Sequence, residues 1–102
     1  AWESAGRAAA DGLTDLHRAY LLTDLERWTA ALEALNQSLA RGGLDERQAG
    51  EAYLLRGIVQ FRLGDPEAAA ADWDRAGREE SSRESARQWL NYLQEERRRS
   101  VS

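Results

Sequence analysis

Displacing the chain against itself by 38 residues lays Ala31 on Ala69, Leu32 on Ala70, Leu35 on Trp73 and Ser38 on Ala76. The same displacement lays Ala19 on Gly57, Leu25 on Leu63 and Trp28 on Pro66. A match that persists through two apolar stripes and the turn between them means two copies of one supersecondary unit. A unit of that size cannot bury its apolar face alone, so neighbouring copies must stack. With 102 residues there is room for one such stack and not for two independent cores.

The unit is helical, because its apolar residues recur three or four apart. Leu13, Leu16, Tyr20 and Leu21 mark one stripe, and Trp28, Ala31, Leu32, Leu35 and Leu39 the next, with the turn between them expected near Asp24 to Glu26. Gly42-Gly43 stops the second helix, since glycine tolerates the left-handed conformation common at helix ends. Asp45 with Gln48 three residues on predicts a capping box for a third helix carrying Tyr53, Leu54, Leu55, Ile58, Val59, Phe61 and Leu63, ended by Gly64. Asp65-Pro66 announces a fourth, over Ala68 to about Gly77, because proline at the first helical position loses no hydrogen bond. Ser81 and Glu84 repeat the capping-box pattern before a last amphipathic helix with Ala86, Trp89, Leu90, Tyr92 and Leu93. Residues 1–12 are read as a further helical segment, and Trp2 as a remnant of a preceding repeat.

Composition narrows the function classes. A 42% hydrophobic and 31% charged chain with one proline is that of helices with a solvated face, not of a disordered tail. Its 14 basic and 18 acidic residues give −4 and are interspersed, so it lacks the one-sided basic surplus of a nucleic-acid binder. No apolar run approaches the roughly 20 residues of a membrane-spanning helix. Without cysteine there is neither a disulfide nor a thiolate metal site, and the redox compartment stays open. An opening Ala1-Trp2-Glu3, with no methionine in the chain, looks cut from a longer precursor.

Chemistry finds little to work with, and no catalytic, metal or cofactor site is expected. His17 is the one histidine, and Asp15, two residues away, falls on another side of the helix. Asp24 with Glu26, and Glu79 with Glu80, read as solvated turn and helix-end charges. Gly42-Gly43 closes a helix where a phosphate loop would open one. Arg97-Arg98-Arg99 suits the negative end of a helix macrodipole.

The segment from Tyr53-Leu54-Leu55-Arg56-Gly57 through Leu63-Gly64-Asp65 to Ala69-x-x-x-Trp73-x-x-Ala76 resembles the tetratricopeptide repeat family, with its unit of about 34 residues and its Ala-x-x-x-aromatic element. Small residues let helix backbones approach, and large ones fill the space between pairs. The resemblance covers about Leu13 to Arg78 and implies an all-α fold: a right-handed superhelix of antiparallel helix pairs, with repeats over 13–43 and 44–79 and a capping helix over 81–99. Its structural repeat positions are Ala31, Leu35, Gly57, Gly64, Ala69, Trp73 and Ala76. The first copy departs in placing Glu26 at the usual turn glycine, and its four extra residues are assigned to 42–50, where insertion costs little. Leu32 to Gly43, Tyr53 to Asp65 and Ala86 to Leu93 also resemble the C-terminal part of bacterial tetratricopeptide proteins that accompany TonB-type systems, which implies the periplasm or cell envelope.

In that family the first helices of successive pairs line a concave groove. Here these positions are Leu13, Leu16, Tyr20, Asp24, Leu54, Ile58, Phe61 and Arg62, an apolar floor with one acidic and one basic edge group. The family's carboxylate clamp, built on Lys and Asn, is absent. The expected function is a scaffold for a protein or peptide partner; the alternative is a structural or self-associating segment of a larger envelope protein. The competing expectation is that part of the stripe is ordinary core, or is covered by the N-terminal segment or the final helix.

Overall fold

A computed structural model describes residues 12–101, with side chains as far as Arg99. The segment expected ahead of Gly12, with Trp2, lies outside the described residues. Those described form five helices and no strand: α1 (Gly12–Asp24), α2 (Trp28–Arg41), α3 (Glu46–Arg62), α4 (Pro66–Ala76) and α5 (Glu80–Val101). Helices α1 with α2, and α3 with α4, pack as hairpins; α2 also packs on α3, and α4 on α5. Within the other layer α1 touches α3 and α3 touches α5. The result is a repeat-like all-helical stack in which α2 and α4 wedge against pairs of helices from the first layer.

The punctuation is local chemistry. Asp45 accepts the Gln48 amide at 2.8 Å while the Gln48 side chain accepts the Asp45 amide at 3.0 Å, closing the capping box of α3. Asp65 accepts from the Ala68 amide at 3.2 Å, with Pro66 in the first turn of α4. Helix α5 corrects an expectation: it begins at Glu80, so Ser81 stands inside its first turn. The capping side chain is Glu79, whose carboxylate accepts from Ser81 N at 2.9 Å and Ser81 Oγ at 2.8 Å. The backbone and then the side-chain hydrogen bond of Ser81 hold the Glu79 carboxyl below the usual range.

The two copies are equivalent in their turns. Leu25–Arg27 joins α1 to α2 and Leu63–Asp65 joins α3 to α4, each three residues long and 38 apart. Gly64 occupies the left-handed region at φ 88°, and its counterpart Glu26 is driven there as well, at φ 56°. Removing that strain outweighs the extra freedom glycine gives the unfolded chain, so Glu26→Gly is expected to stabilise by about 0.5–1 kcal/mol. Calorimetry should read a Tm raised by roughly 2–8 °C; a lowered Tm would show that the turn relaxes in solution. The four-residue excess of the first copy does not sit in one loop. Helix α2 has 14 residues against the 11 of α4, and only one further residue falls in the following connection. An added near-turn of helix preserves backbone hydrogen bonds that a longer loop would leave to water.

Helix α3 buries two faces. Ala52, Leu55 and Val59 join Leu16 and Ala19 of α1 and Ala31, Ala34 and Leu35 of α2 in one cluster. Tyr53, Leu54, Ile58 and Phe61 pack on a second, formed by Ala69, Trp73 and Ala76 of α4 with Ala86 and Leu93 of α5. A helix apolar on both sides belongs between neighbours, which is its place here. The start of α5 follows that of α3 by 34 residues, and at that spacing Ala86 answers Ala52 and Leu93 answers Val59, all buried. The outward side of α5 carries Arg83, Glu84, Arg87, Asn91 and Gln94, all exposed, so the stack ends on a polar surface.

One close crossing joins α3 to α4. The Trp73 indole, fully buried, lies on the backbone of α3 and donates Nε1–H to the Leu54 carbonyl at 3.1 Å. Only a residue without a side chain fits beneath it: a Cβ on Gly57 would stand 2.6 Å from Trp73 Cδ1 and 2.9 Å from Cε2. A polar seam runs beside this crossing. Arg56 donates to both carboxylate oxygens of Asp72, at 2.7 and 2.8 Å, and to Asn36 Oδ1 of α2 at 3.1 Å. Gln60, its amide turned to donate, reaches Asp72 Oδ2 at 2.8 Å and the Ala68 carbonyl at 3.1 Å. Two side chains of α3 thus meet on one buried carboxylate of α4, and Arg56 links α2 to the pair.

Candidate binding cleft

The eight residues expected to line one groove do not form one surface. Leu16 is 1% exposed and sits in the first core cluster, with Leu13 packed at its edge, so neither is a groove floor. The correction is physical: α2 and α3 close over the inner side of α1. Leu54, Ile58 and Phe61 are half-buried against the second cluster because α5 lies across the same side of α3. Tyr20 and Asp24 stay exposed on α1 and are not among the residues that line the cleft. Phe61 and Arg62 alone of the eight line it.

Their partners come from α5. Phe61, Arg62, Gln88, Trp89 and Tyr92 surround an open cleft of about 350 Å³. Its walls are fixed by ring contacts that run back into the core: Trp89 stacks on Trp73 at 5.3 Å between centroids and 20° between planes. Phe61 sits 6.1 Å from Trp73, and Tyr92 meets Phe61 and Trp89 edge-on at 5.7 and 5.9 Å. Offset stacks and edge contacts are the favoured aromatic geometries and hold each ring in place. Tyr92 is nevertheless 47% exposed, so an apolar wall faces solvent. Arg62, at the lip, lays its guanidinium over Trp28 at 5.8 Å from the ring centroid. Trp89 and Tyr92 were legible only as an apolar stripe, since nothing in their spacing says which helix they meet.

Other charged and polar groups lie outside the cleft. A second hollow, between the start of α3 and the end of α4, is lined by Glu46, Ala49, Gly50, Tyr53, Arg75, Arg78 and Glu79, its charges mixed in sign. There the Tyr53 hydroxyl accepts from Arg75 at 2.9 Å, and Arg56 and Arg75 both flank its ring. His17 is exposed and Asp15 buried, with Arg18 and Arg41 each 3.4 Å from its carboxylate. Among the described residues no three potential metal-ligating side chains converge, and no helix is long and apolar enough to cross a membrane.

Tyr20 gives a direct check of the α1–α3 contact. Its hydroxyl donates to Glu51 Oε2 at 3.4 Å; partial burial of the otherwise exposed side chain, then the Glu51 charge, then this bond push the phenol up to about 12. The folded chain then keeps a proton that the unfolded chain releases near pH 10, so this contribution is complete below about pH 10 and is lost as pH rises towards 12. The phenolate absorbance that disappears in Tyr20→Phe should develop with a midpoint near 12, and Glu51→Gln should lower it. A Tyr20 midpoint at the ordinary tyrosine value would place the two side chains apart.

Comparison with protein-family models, with curated proteins and with solved structures returned no significant match.

Proposed function

We propose that the chain is a protein-interaction scaffold of the tetratricopeptide type, which holds a peptide or protein partner by an apolar side chain in the cleft between α3 and α5, without chemical change. Support for the repeat type comes from the paired hairpins, from the 34-residue interval between α3 and α5, and from the burial of the small positions Ala31, Gly57, Ala69 and Ala76. One observation carries the binding role. Phe61, Trp89 and Tyr92 are ordered by the core behind them yet form an open apolar wall, the arrangement that lets an anchor residue be buried without reordering the site.

Panning a displayed peptide library on the folded chain tests this. Enriched peptides with a shared aliphatic or aromatic position are expected, and Tyr92→Ser should release them while leaving helix content unchanged. Peptides that bind Tyr92→Ser as well as the parent would remove the cleft from the function.

A second reading rests on a different surface. Leu21, Leu25 and Leu63 are 60%, 58% and 43% exposed at the ends of α1 and α3, as residues covered by a further protein surface would be. Light scattering over a concentration series separates the two, since a persistent monomer argues against contact between copies.

A further inference from the structure

The cleft has a charged lip as well as an apolar wall. Arg62 contributes the cation, and among the described residues no carboxylate lies within ion-pair distance of it; its contact is the Trp28 ring. The acidic side chains of α5 do not supply one. Glu84 pairs with Arg87 at 3.2 Å, Glu95 with Arg98 at 3.7 Å and Glu96 with Arg99 at 3.6 Å, each one turn along its own helix. Placement in the last turn of α3 favours a cation by the helix macrodipole alone. That accounts for the charge but not for its position, held over an indole at the mouth of an aromatic cleft. A guanidinium braced by a ring keeps its donor edge free, and that edge matches the two oxygens of a carboxylate. Gln88, on the opposite side of the cleft, offers an amide that both donates and accepts, as an extended backbone requires.

Resting on the binding role proposed above, we infer that the partner is an internal peptide segment in which an aliphatic side chain stands next to aspartate or glutamate. The aliphatic group enters between Phe61, Trp89 and Tyr92, and the side-chain carboxylate pairs with Arg62. The acid supplies a partner for Arg62, the one cation among the described residues that line the cleft. Shape selects the anchor, and charge selects its neighbour.

The test uses the whole chain and end-blocked nonapeptides, so that no terminal carboxylate takes part. One peptide carries Leu flanked by Glu and Asp in a Gly/Ser background, the second replaces both acids by Gln and Asn, and the third replaces Leu by Ala. Binding is read from the side-chain N–H resonance of Trp89 and from titration calorimetry. The acidic Leu peptide should shift Trp89, and the amide peptide should bind about two- to fivefold weaker, the value of a solvent-exposed ion pair. Arg62→Gln, whose fold is checked by its melting curve, should abolish the difference between those two peptides, and Arg62→Glu should reverse the preference towards a Leu peptide flanked by Arg. Equal binding of the acidic and amide peptides to the parent chain, or a full preference for acid kept in Arg62→Gln, overturns the assignment and leaves the apolar cleft standing. If none of the Leu peptides moves Trp89, the binding role of the cleft itself fails.

Discussion

Gly57→Leu is expected to leave the chain unfolded or molten, and Gly57→Ala to cost about 1–3 kcal/mol, the usual range for overpacking a tight core. The sign is informative because alanine is the better helix former by about 1 kcal/mol, so propensity alone would make Gly57→Ala stabilising. Contact decides against it. The new Cβ would meet the Trp73 indole, and that ring cannot withdraw, being fully buried, hydrogen-bonded to the Leu54 carbonyl and stacked on Trp89. Urea denaturation followed by circular dichroism measures the effect. A smaller ring should make room, so the penalty of Gly57→Ala is expected to shrink in a Trp73→Phe background, and the two changes should couple in a double-mutant cycle. A gain in stability from Gly57→Ala in the parent chain would mean that α4 does not press its tryptophan onto α3.

Asp72→Ala is expected to cost about 2–4 kcal/mol, somewhat less than breaking a fully buried ion pair because Arg56 retains some access to water. Removing the carboxylate strips two short hydrogen bonds from Arg56 and one from Gln60, leaving those half-buried donors without their acceptor. The same hydrogen bonds, against the opposing effect of burial, raise the Arg56 pKa further above its ordinary value. Replacing both partners by apolar residues of similar volume, Arg56→Met with Asp72→Leu, should be far milder than Asp72→Ala alone, since no orphaned charge remains. Chemical denaturation of the three variants gives the comparison. A single-variant cost within the range of surface substitutions, about 0.5 kcal/mol, would show that the seam is solvated.

These two regions differ in how visible they are from the residues alone. Gly57 stood out because the repeat displacement sets it opposite Ala19, two small residues at one helical position. Asp72 carried no such mark. It lies among Ala69 to Asp74 as one more polar residue of an amphipathic helix, and its value comes from Arg56, 16 positions earlier and on another helix. The cleft is similar: Phe61 and Arg62 were marked by their place on α3, while Trp89 and Tyr92 needed the crossing of α3 by α5. Leu16 shows the converse error, an apolar residue assigned to an open face that α2 and α3 in fact cover.

Local chemistry alone thus settled most of the helix boundaries, the start of α5 excepted. Asp45 with Gln48, Asp65 with Pro66, Gly42-Gly43 and Gly64 act on backbone groups a few residues away, so their effect is readable in order along the chain, and the 38-residue displacement added that the hairpins are alike. Which side of each helix meets a neighbour was decided only in three dimensions. An apolar stripe spans a wide arc of a helix, and the angle at which the next helix crosses selects the part that is buried, the part that pairs and the part left open to a partner.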